Sequence, residues 1–375
     1  MALNQVGLER LGTSVTDKIG ENKNLIINGA MQVAQRGTTS TSTGYHTVDR
    51  YRHTGSGADE MPTFAQVDVA SGTTPYTSGF RKAFKITNGN QTSGADAGDA
   101  IVLGYKLEAQ DLANSGWNYV SSSSYITLSF WVKSSVAQNF YGRLTTTDGT
   151  SQNYPFETGS LSADTWTKIT KTIPGNSNLQ FDNNADKGID IEWMMFRGTN
   201  FTDSGVTLNA WAAYASGTRT PDNTTTWYTT NDATWEITGL QLEVGSVATD
   251  FEHRSFSQEL ALCQRYYQRY QHGTYKAINF VGRKSGSNTV VGSAYGFPPM
   301  RAAATGTIND AGGFKLYRVT DGTTHTPSAV TFTHDGSEPY NVLKFTAAAT
   351  TYSTGDVCTM TNTNTGGILE LDAEL

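Results

Sequence analysis

The sequence predicts an all-β protein of two β-sandwich domains joined by a short helix, and three observations lead there. Charged residues make up only 16% of the 375 positions and the apolar set 37%, so the polarity rests on Thr, Ser, Asn, Gln and Gly. Thr, Tyr, Trp and Val suit a half-buried pleated surface, while Gly and Asn supply its turns. The second observation is strict alternation: in YITLSFWVK (125–133) Ile126, Leu128, Phe130 and Val132 face one way and Thr127, Ser129, Trp131 and Lys133 the other. Ile189, Ile191, Trp193 and Met195 repeat the pattern. Third, turn-rich stretches such as ITNGNQTSGADAGD (86–99) and PGNSNLQFDNNADKG (174–188) punctuate the strands. Short alternating strands separated in this way predict sandwiches of the jelly-roll kind, not a βαβ fold.

Along the chain, residues 1–24 form an arm. Leu8, Leu11, Val15 and Ile19 recur at helical spacing and give one narrow apolar stripe, which cannot bury itself and must meet a copy of itself or a partner. A frayed terminus is the alternative, since Gly7 and Gly12 interrupt a short helix. Residues 25–254 hold the first β domain. Near its end Trp235 and Ile237 share one face while Leu240, Leu242 and Val244 continue on the other parity. That slip of phase at Gly239 predicts a β-bulge. Ser255 with Gln258 forms a capping-box pattern, and Phe256, Leu260, Cys263 and Tyr267 make the apolar stripe of a linking helix over 255–272. Residues 273–375 form a second β domain, whose final strand GILELDAEL sets Leu369, Leu371, Ala373 and Leu375 on one face.

Net charge is −7 and no basic block is present, which argues against nucleic acid or anionic membrane as a partner. The first twenty residues lack the charged and apolar regions of a signal peptide, and no apolar run approaches ~20 residues, so membrane insertion is not expected and the chain is expected to be made in a cytoplasm. Cys263 and Cys358 lie far apart without zinc-like or redox spacing.

The search for catalytic motifs finds no GxSxG elbow, phosphate loop, GxGxxG or HExxH, and the six histidines are scattered. The expectation is a chain without enzymatic activity or cofactor, although glycosidase carboxylates pair in space and leave no local signature. One metal candidate stands out. Asp182, Asn184 and Asp186 alternate like the oxygen ligands of a calcium loop, yet Gly188 falls one place late and Trp193 occupies the twelfth position, so this is no EF-hand. A structural calcium loop and an ordinary Asx-rich turn both remain as readings.

Sugars bind β-sandwiches by laying their apolar faces on exposed rings. Trp193 and Trp235 share faces with apolar residues and read as core. Trp131 lies opposite the apolar face of its strand, and Trp227 and Tyr228 sit in the polar stretch TPDNTTTWYTTND. These three are the candidate ligand-binding residues; the competing reading is that each covers a sheet edge or a neighbouring subunit. The segment 235–268 gathers Glu236, Glu243, Glu252, His253, Arg254, Glu259 and Cys263. Cys263 lies on an apolar stripe and the charges fall at a strand-to-helix corner, so the segment reads as a joint that touches no ligand, not as a catalytic box.

NLIINGAMQVAQRG (24–37), YITLSFWVKSS (125–135), the stretch 237–268 and FPPMRAAAT (297–305) together resemble one group of bacteriophage and prophage virion proteins. NLIINGAMQVAQRG (24–37) followed by TVDRY (47–51) is similar to that group's opening pattern, roughly NLIINGDFxxWQRG and DRW. YITLSFWVKSS (125–135) looks like its central strand, the stretch 237–268 matches its most recognisable signature, and FPPMRAAAT (297–305) resembles its FPxxMRxxPT segment. Ala34, Tyr51 and Ala304 depart from the pattern at packing positions. The resemblance implies a virion structural protein of the tail-fibre or receptor-binding type with a carbohydrate-binding jelly roll. It further implies a homotrimer that joins other virion proteins through its N-terminus and adheres to host surface carbohydrate. A head fibre or capsid-decoration protein is the alternative, and a polysaccharide depolymerase a more distant one. The shared motif residues are structural, so the resemblance supplies no binding residues.

Overall fold

The computed structural model describes residues 23–271, 277–285, 289–309, 314–326, 330–335, 341–348, 352–362 and 368–375. The fold is all-β, as expected. The arm residues Leu8, Leu11, Val15 and Ile19 lie outside the described residues. The chain divides into two units, the boundary falling between Glu259 and Leu260.

The strands of the first unit are β1 (Thr39–Ser40), β2 (Tyr51–Ser56), β3 (Thr63–Asp68), β4 (Lys82–Thr87), β5 (Ala100–Glu108) and β6 (Tyr125–Ser134). They continue with β7 (Asn139–Thr146), β8 (Gln152–Ser160), β9 (Thr167–Pro174), β10 (Lys187–Arg197), β11 (Ala212–Ala213) and β12 (Thr234–Val244). They pair antiparallel into two six-stranded sheets, in the orders β1-β3-β4-β12-β6-β9 and β11-β8-β7-β10-β5-β2. The alternation read from the sequence sets the layers. Ile126, Leu128, Phe130 and Val132 of the first sheet meet Leu103, Leu144, Ile191 and Trp193 of the second in one buried core. Phe130 and Trp193 join the sheets edge to face, 5.8 Å apart. Each such side chain contributes about 1.5–3 kcal/mol by leaving water.

The bulge falls where the phase slip places it. Pairing of β12 with β6 shifts register between Thr238 and Gln241, and Gly239 adopts φ 66°. The corner that follows is the expected joint. Glu252 accepts the Asn24 N–H at 2.7 Å, and Arg254 donates to the Asn24 and Ile26 carbonyls. Glu259 accepts the Asn28 N–H and lies 3.6 Å from the Arg254 guanidinium. The capping box forms too: Ser255 N–H donates to Gln258 Oε1 at 3.0 Å, and Gln258 N–H returns to Ser255 Oγ at 3.3 Å. The helix itself is shorter than the sequence suggested. It runs Phe256–Gln264, and Tyr267 belongs to the next strand. Phe256, placed on the apolar stripe by spacing, is 56% exposed, while Cys263 is buried as expected.

The opening motif is a second corner. Asn28 sits at φ 60°, and its side chain donates to the Val33 and Asp49 carbonyls while accepting the Val33 N–H. Arg50, at φ 76°, reaches the Lys106 carbonyl at 2.6 Å. Nearby His53 on β2 is fully buried and stacks on Phe64 at 4.2 Å. Burial, reinforced by neighbouring His46, lowers its pKa from 6.5 to about 4. A base depressed in the folded state binds its proton more readily in the unfolded chain, so the contribution is present above pH 6.5 and is lost as pH falls towards 4. Taking the protein from pH 7 to pH 5 is therefore expected to remove about 2 kcal/mol of stability through this residue. Urea melts of wild type and His53→Phe at both pH values check it, and an unchanged pH slope in the variant would refute the assignment.

On the outer face of the second sheet, charges are buried. Glu192 on β10 lies 2.7 Å from Arg143 on β7, 2.9 Å from Arg197, and 3.8 Å from Arg52 on β2. Over this face runs a long connection from Gly198 to Thr225, whose Phe201 ring lies 5.6 Å from Arg197 and 4.7 Å from Arg219.

The second unit contains β13 (Tyr267–Gln271), β14 (Ala277–Lys284), β15 (Thr289–Phe297), β16 (Thr305–Asn309) and β17 (Phe314–Arg318). It continues with β18 (Thr324–His325), β19 (Val330–Asp335), β20 (Asn341–Ala348), β21 (Val357–Asn362) and β22 (Ile368–Asp372). Seven of them pair in the order β18-β17-β21-β14-β15-β20-β19, and three in the order β13-β22-β16. The last strand is pinned at the centre of the small sheet, and Leu369, Leu371 and Ala373 share a core with Leu316, Cys358 and Met360 of the large one. Tyr352 is buried, and its hydroxyl donates to the Leu316 carbonyl at 2.8 Å.

Candidate functional site

The alternation that buries Phe130 and Val132 turns Trp131 outwards on the first sheet. Lys168 on β9 lies opposite it on one side and Thr238 on β12 on the other. One residue pair further along, Lys133 bridges to Glu236 at 3.0 Å and lies 5.2 Å over the ring of Trp166. Trp131, Trp166, Tyr76 and Phe251 all pack, half-buried, around Phe80 and Ala83. Phe80 and Phe251 meet edge to face at 4.8 Å, and His253 completes a trio at 4.9 Å from Phe251 and 5.1 Å from Phe80. His253 is fixed by the Ser78 carbonyl, 3.0 Å from its Nε2.

Trp131, Phe80, Phe251 and His253 border a cleft of about 330 Å³, within the size range of small-ligand sites. Trp131, Phe80 and Phe251 give it an apolar wall, and Lys168, Asp250 and Ser129 add an ammonium donor, a carboxylate acceptor and a hydroxyl. The turn that carries Asp250 is held from behind. Buried Glu243 accepts the Thr249 N–H at 2.9 Å and its hydroxyl at 2.6 Å, while Lys23 donates to the Asp250 carbonyl at 2.6 Å. Such an arrangement can hold a ring with one apolar face and hydroxyls at its rim: polarised C–H groups lie on the π face, and Lys168 and Asp250 hydrogen-bond the hydroxyls.

The sequence-predicted residues separate sharply. Trp131 is at the cleft. Trp227 and Tyr228 are not on the surface: both are 0% exposed, which corrects their assignment as ligand-binding residues. Thr226–Thr229 forms a single helical turn whose rings plug the sandwich core. Trp227 Nε1 donates to the Thr234 carbonyl at 3.1 Å, and Tyr228 stacks on Phe196 at 4.5 Å. The polar Thr and Asn around them had masked this burial.

Asp182, Asn184 and Asp186 follow the Asx-turn reading. Asn184 Oδ1 accepts the Asp186 N–H at 2.9 Å, and Asp182 Oδ1 accepts from Gln180 at 3.1 Å. Among the described residues no group of three His, Cys, Asp or Glu side chains is arranged to hold a metal ion. The Asn184–Asp186 hydrogen bond is that of an Asx turn, the second of the two readings.

Sequence reading also missed residues. Trp166 was within reach: Lys168, Thr170 and Thr172 face outwards on β9, and extending that parity back by two places Trp166 beside Trp131. Phe80 and Phe251 come from loops distant in the chain and carry no local signal. The joint reading of 235–268 needs one amendment, because Gly239, Thr249, Asp250, Phe251 and His253 line the cleft.

No known family profile matches the chain, and no curated protein matches it. Among solved structures it is similar to the enzymatically active domain of tailspike protein 4 of bacteriophage CBA120, with 9% identity and TM-score 0.31, over 60% of this chain and 22% of that one. It is also similar to a sugar-binding protein of Bacteroides thetaiotaomicron, with 12% identity and TM-score 0.31, over 59% of this chain and all of that one. A third is the family 11 carbohydrate-binding module of a Clostridium thermocellum cellulase, with 12% identity and TM-score 0.24, over 58% and 98% of the two chains. The chain thus spans about a fifth of the length of the tailspike domain. At these identities and scores the sandwich assignment stands on the strand pairings described above.

Proposed function

We propose that the chain is a non-catalytic adhesion protein of a phage virion, of the tail-fibre or receptor-binding type, that binds host surface carbohydrate in the Trp131 cleft. The observation that carries the reading is the outward Trp131 on a rigid sheet, beside Trp166 and Phe251 and within a cleft that also presents Lys168 and Asp250. The virion assignment is supported by the sequence resemblance in four stretches, and the homotrimer by the same resemblance. Three tethered copies raise avidity through effective concentration without any new contact, which suits weak single-sugar sites.

A glycan array probed with wild type, Trp131→Ala and Trp131→Phe tests the reading. Trp131→Ala is expected to lower affinity for the bound glycans by about tenfold or more, and Trp131→Phe to restore part of it. Equal binding by wild type and Trp131→Ala would end the proposal for this cleft.

A further inference from the structure

We propose that the first unit carries a second saccharide site, on its other sheet, in a cleft built around Trp211, and that this site takes an uncharged sugar bearing an acetamido group. The inference does not rest on the Trp131 cleft.

The connection from Gly198 to Thr225 has only the two-residue β11 as regular structure. Loops of that length inside a compact domain are uncommon and tend to be functional. This one is held along its length. Thr202 and Thr220 form a bridge, the Asp203 N–H donates to the Thr220 carbonyl at 3.1 Å, and Thr202 Oγ1 donates to Asp222 at 2.8 Å. Asn209, at φ 58°, donates its N–H to the Pro155 carbonyl at 2.8 Å, and Ala212 pairs with Asn153. Arg219 lies over both Phe201 and Tyr214. A segment tied at so many points has lost its conformational freedom before a ligand arrives, which removes an entropic cost of binding.

What the loop encloses is a cleft of about 480 Å³ against β8. Trp211 forms part of its wall. The indole is oriented by two contacts, its Nε1 donating to the Pro174 carbonyl at 2.7 Å and its ring lying 5.2 Å from that of Tyr154. Beside Trp211 stand Pro155, Val206, Ala210 and Ala212, a set of small apolar groups unlike the aromatic wall of the first cleft. The charged group in the lining is Asp203, whose Oδ1 is fixed by the Gly205 N–H at 2.7 Å. A pyranose laid on the indole puts an acetyl methyl among the small apolar groups and an amide N–H towards the Asp203 carboxylate. The same carboxylate repels sialic and uronic acids, so the site selects against anionic sugars.

Fluorine NMR of the full chain labelled with 5-fluorotryptophan reads the site directly, because the chain has seven tryptophans and Trp211→Phe assigns the relevant signal. The N-acetylglucosamine trimer, added at millimolar concentration, is expected to shift the Trp211 resonance in wild type and equally in Trp131→Ala. The glucose trimer is expected to bind about tenfold more weakly, the scale of a lost methyl contact. Ala212→Arg, which fills the cleft from an exposed position, is expected to abolish the shift while leaving the other resonances in place. A Trp211 signal that ignores the acetamido trimer, or a shift that survives Ala212→Arg, overturns the proposal. Loss of the shift in Trp131→Ala also overturns it, by assigning the binding to the first cleft.

Discussion

Replacing Glu192 with Ala is expected to cost about 3–5 kcal/mol, read as a fall in the urea midpoint at unchanged slope. The side chain is almost fully buried, as are those of Arg143 and Arg197, and Arg52 stands within reach. Burial alone would raise the carboxyl's pKa, yet Arg143 and Arg197 outweigh it and hold the group at about 2. Removing the carboxylate leaves two buried guanidinium groups facing each other with no counter-charge, and that, more than the loss of attraction, sets the magnitude. Replacing Glu192, Arg143 and Arg197 together by Leu, Met and Met is expected to recover most of the loss. A single-variant effect below about 1 kcal/mol would show that water reaches the cluster. The pH signature is distinct from that of His53. A carboxyl depressed from 4.5 contributes stability above that value and loses it as pH falls through 2. Loss in mild acid belongs to the histidine, and loss in strong acid to the glutamate.

Gly239→Val is expected to destabilise the first unit by about 4 kcal/mol, combining a branched side chain at positive φ with overpacking. A Cβ at Gly239 would stand 2.6 Å from the ring of Phe80, which lines the Trp131 cleft and would have to shift. The substitution should therefore cut glycan affinity beyond the loss of folded protein, measurable by titration under conditions where the variant is still folded. Full affinity in folded Gly239→Val would mean that Phe80 is not part of the site.

The bulge, the capped helix and the final strand were legible because each depends on local phase or local hydrogen bonding: the parity change at Gly239, the Ser255–Gln258 pair, the alternation from Leu369 to Ala373. Trp227 and Tyr228 were misread for the converse reason. A single turn flanked by Thr and Asn has no periodicity from which to infer a face, and only the packing of Phe196 against Tyr228 buries it. The cleft was half legible. Trp131 and, by parity, its neighbour Trp166 in the aromatic cluster follow from strands, whereas Phe80, Asp250 and Phe251 come to the cleft from separate loops. The buried Glu192 cluster was invisible, since cross-strand pairing of β7, β10 and β2 is a property of sheet order.

The corner at Asn24, Glu252 and Arg254 sets how the first unit responds to mechanical load. The chain enters the sandwich at Asn24 and leaves it beyond Glu252, and the Asn24 N–H joins the two points by donating to Glu252 at 2.7 Å. Tension applied to the chain on either side is carried across that clasp, reinforced by the Arg254 contacts to Asn24 and Ile26. A force that separates Asn24 from Glu252 must break these bonds before it reaches the rings around Trp131.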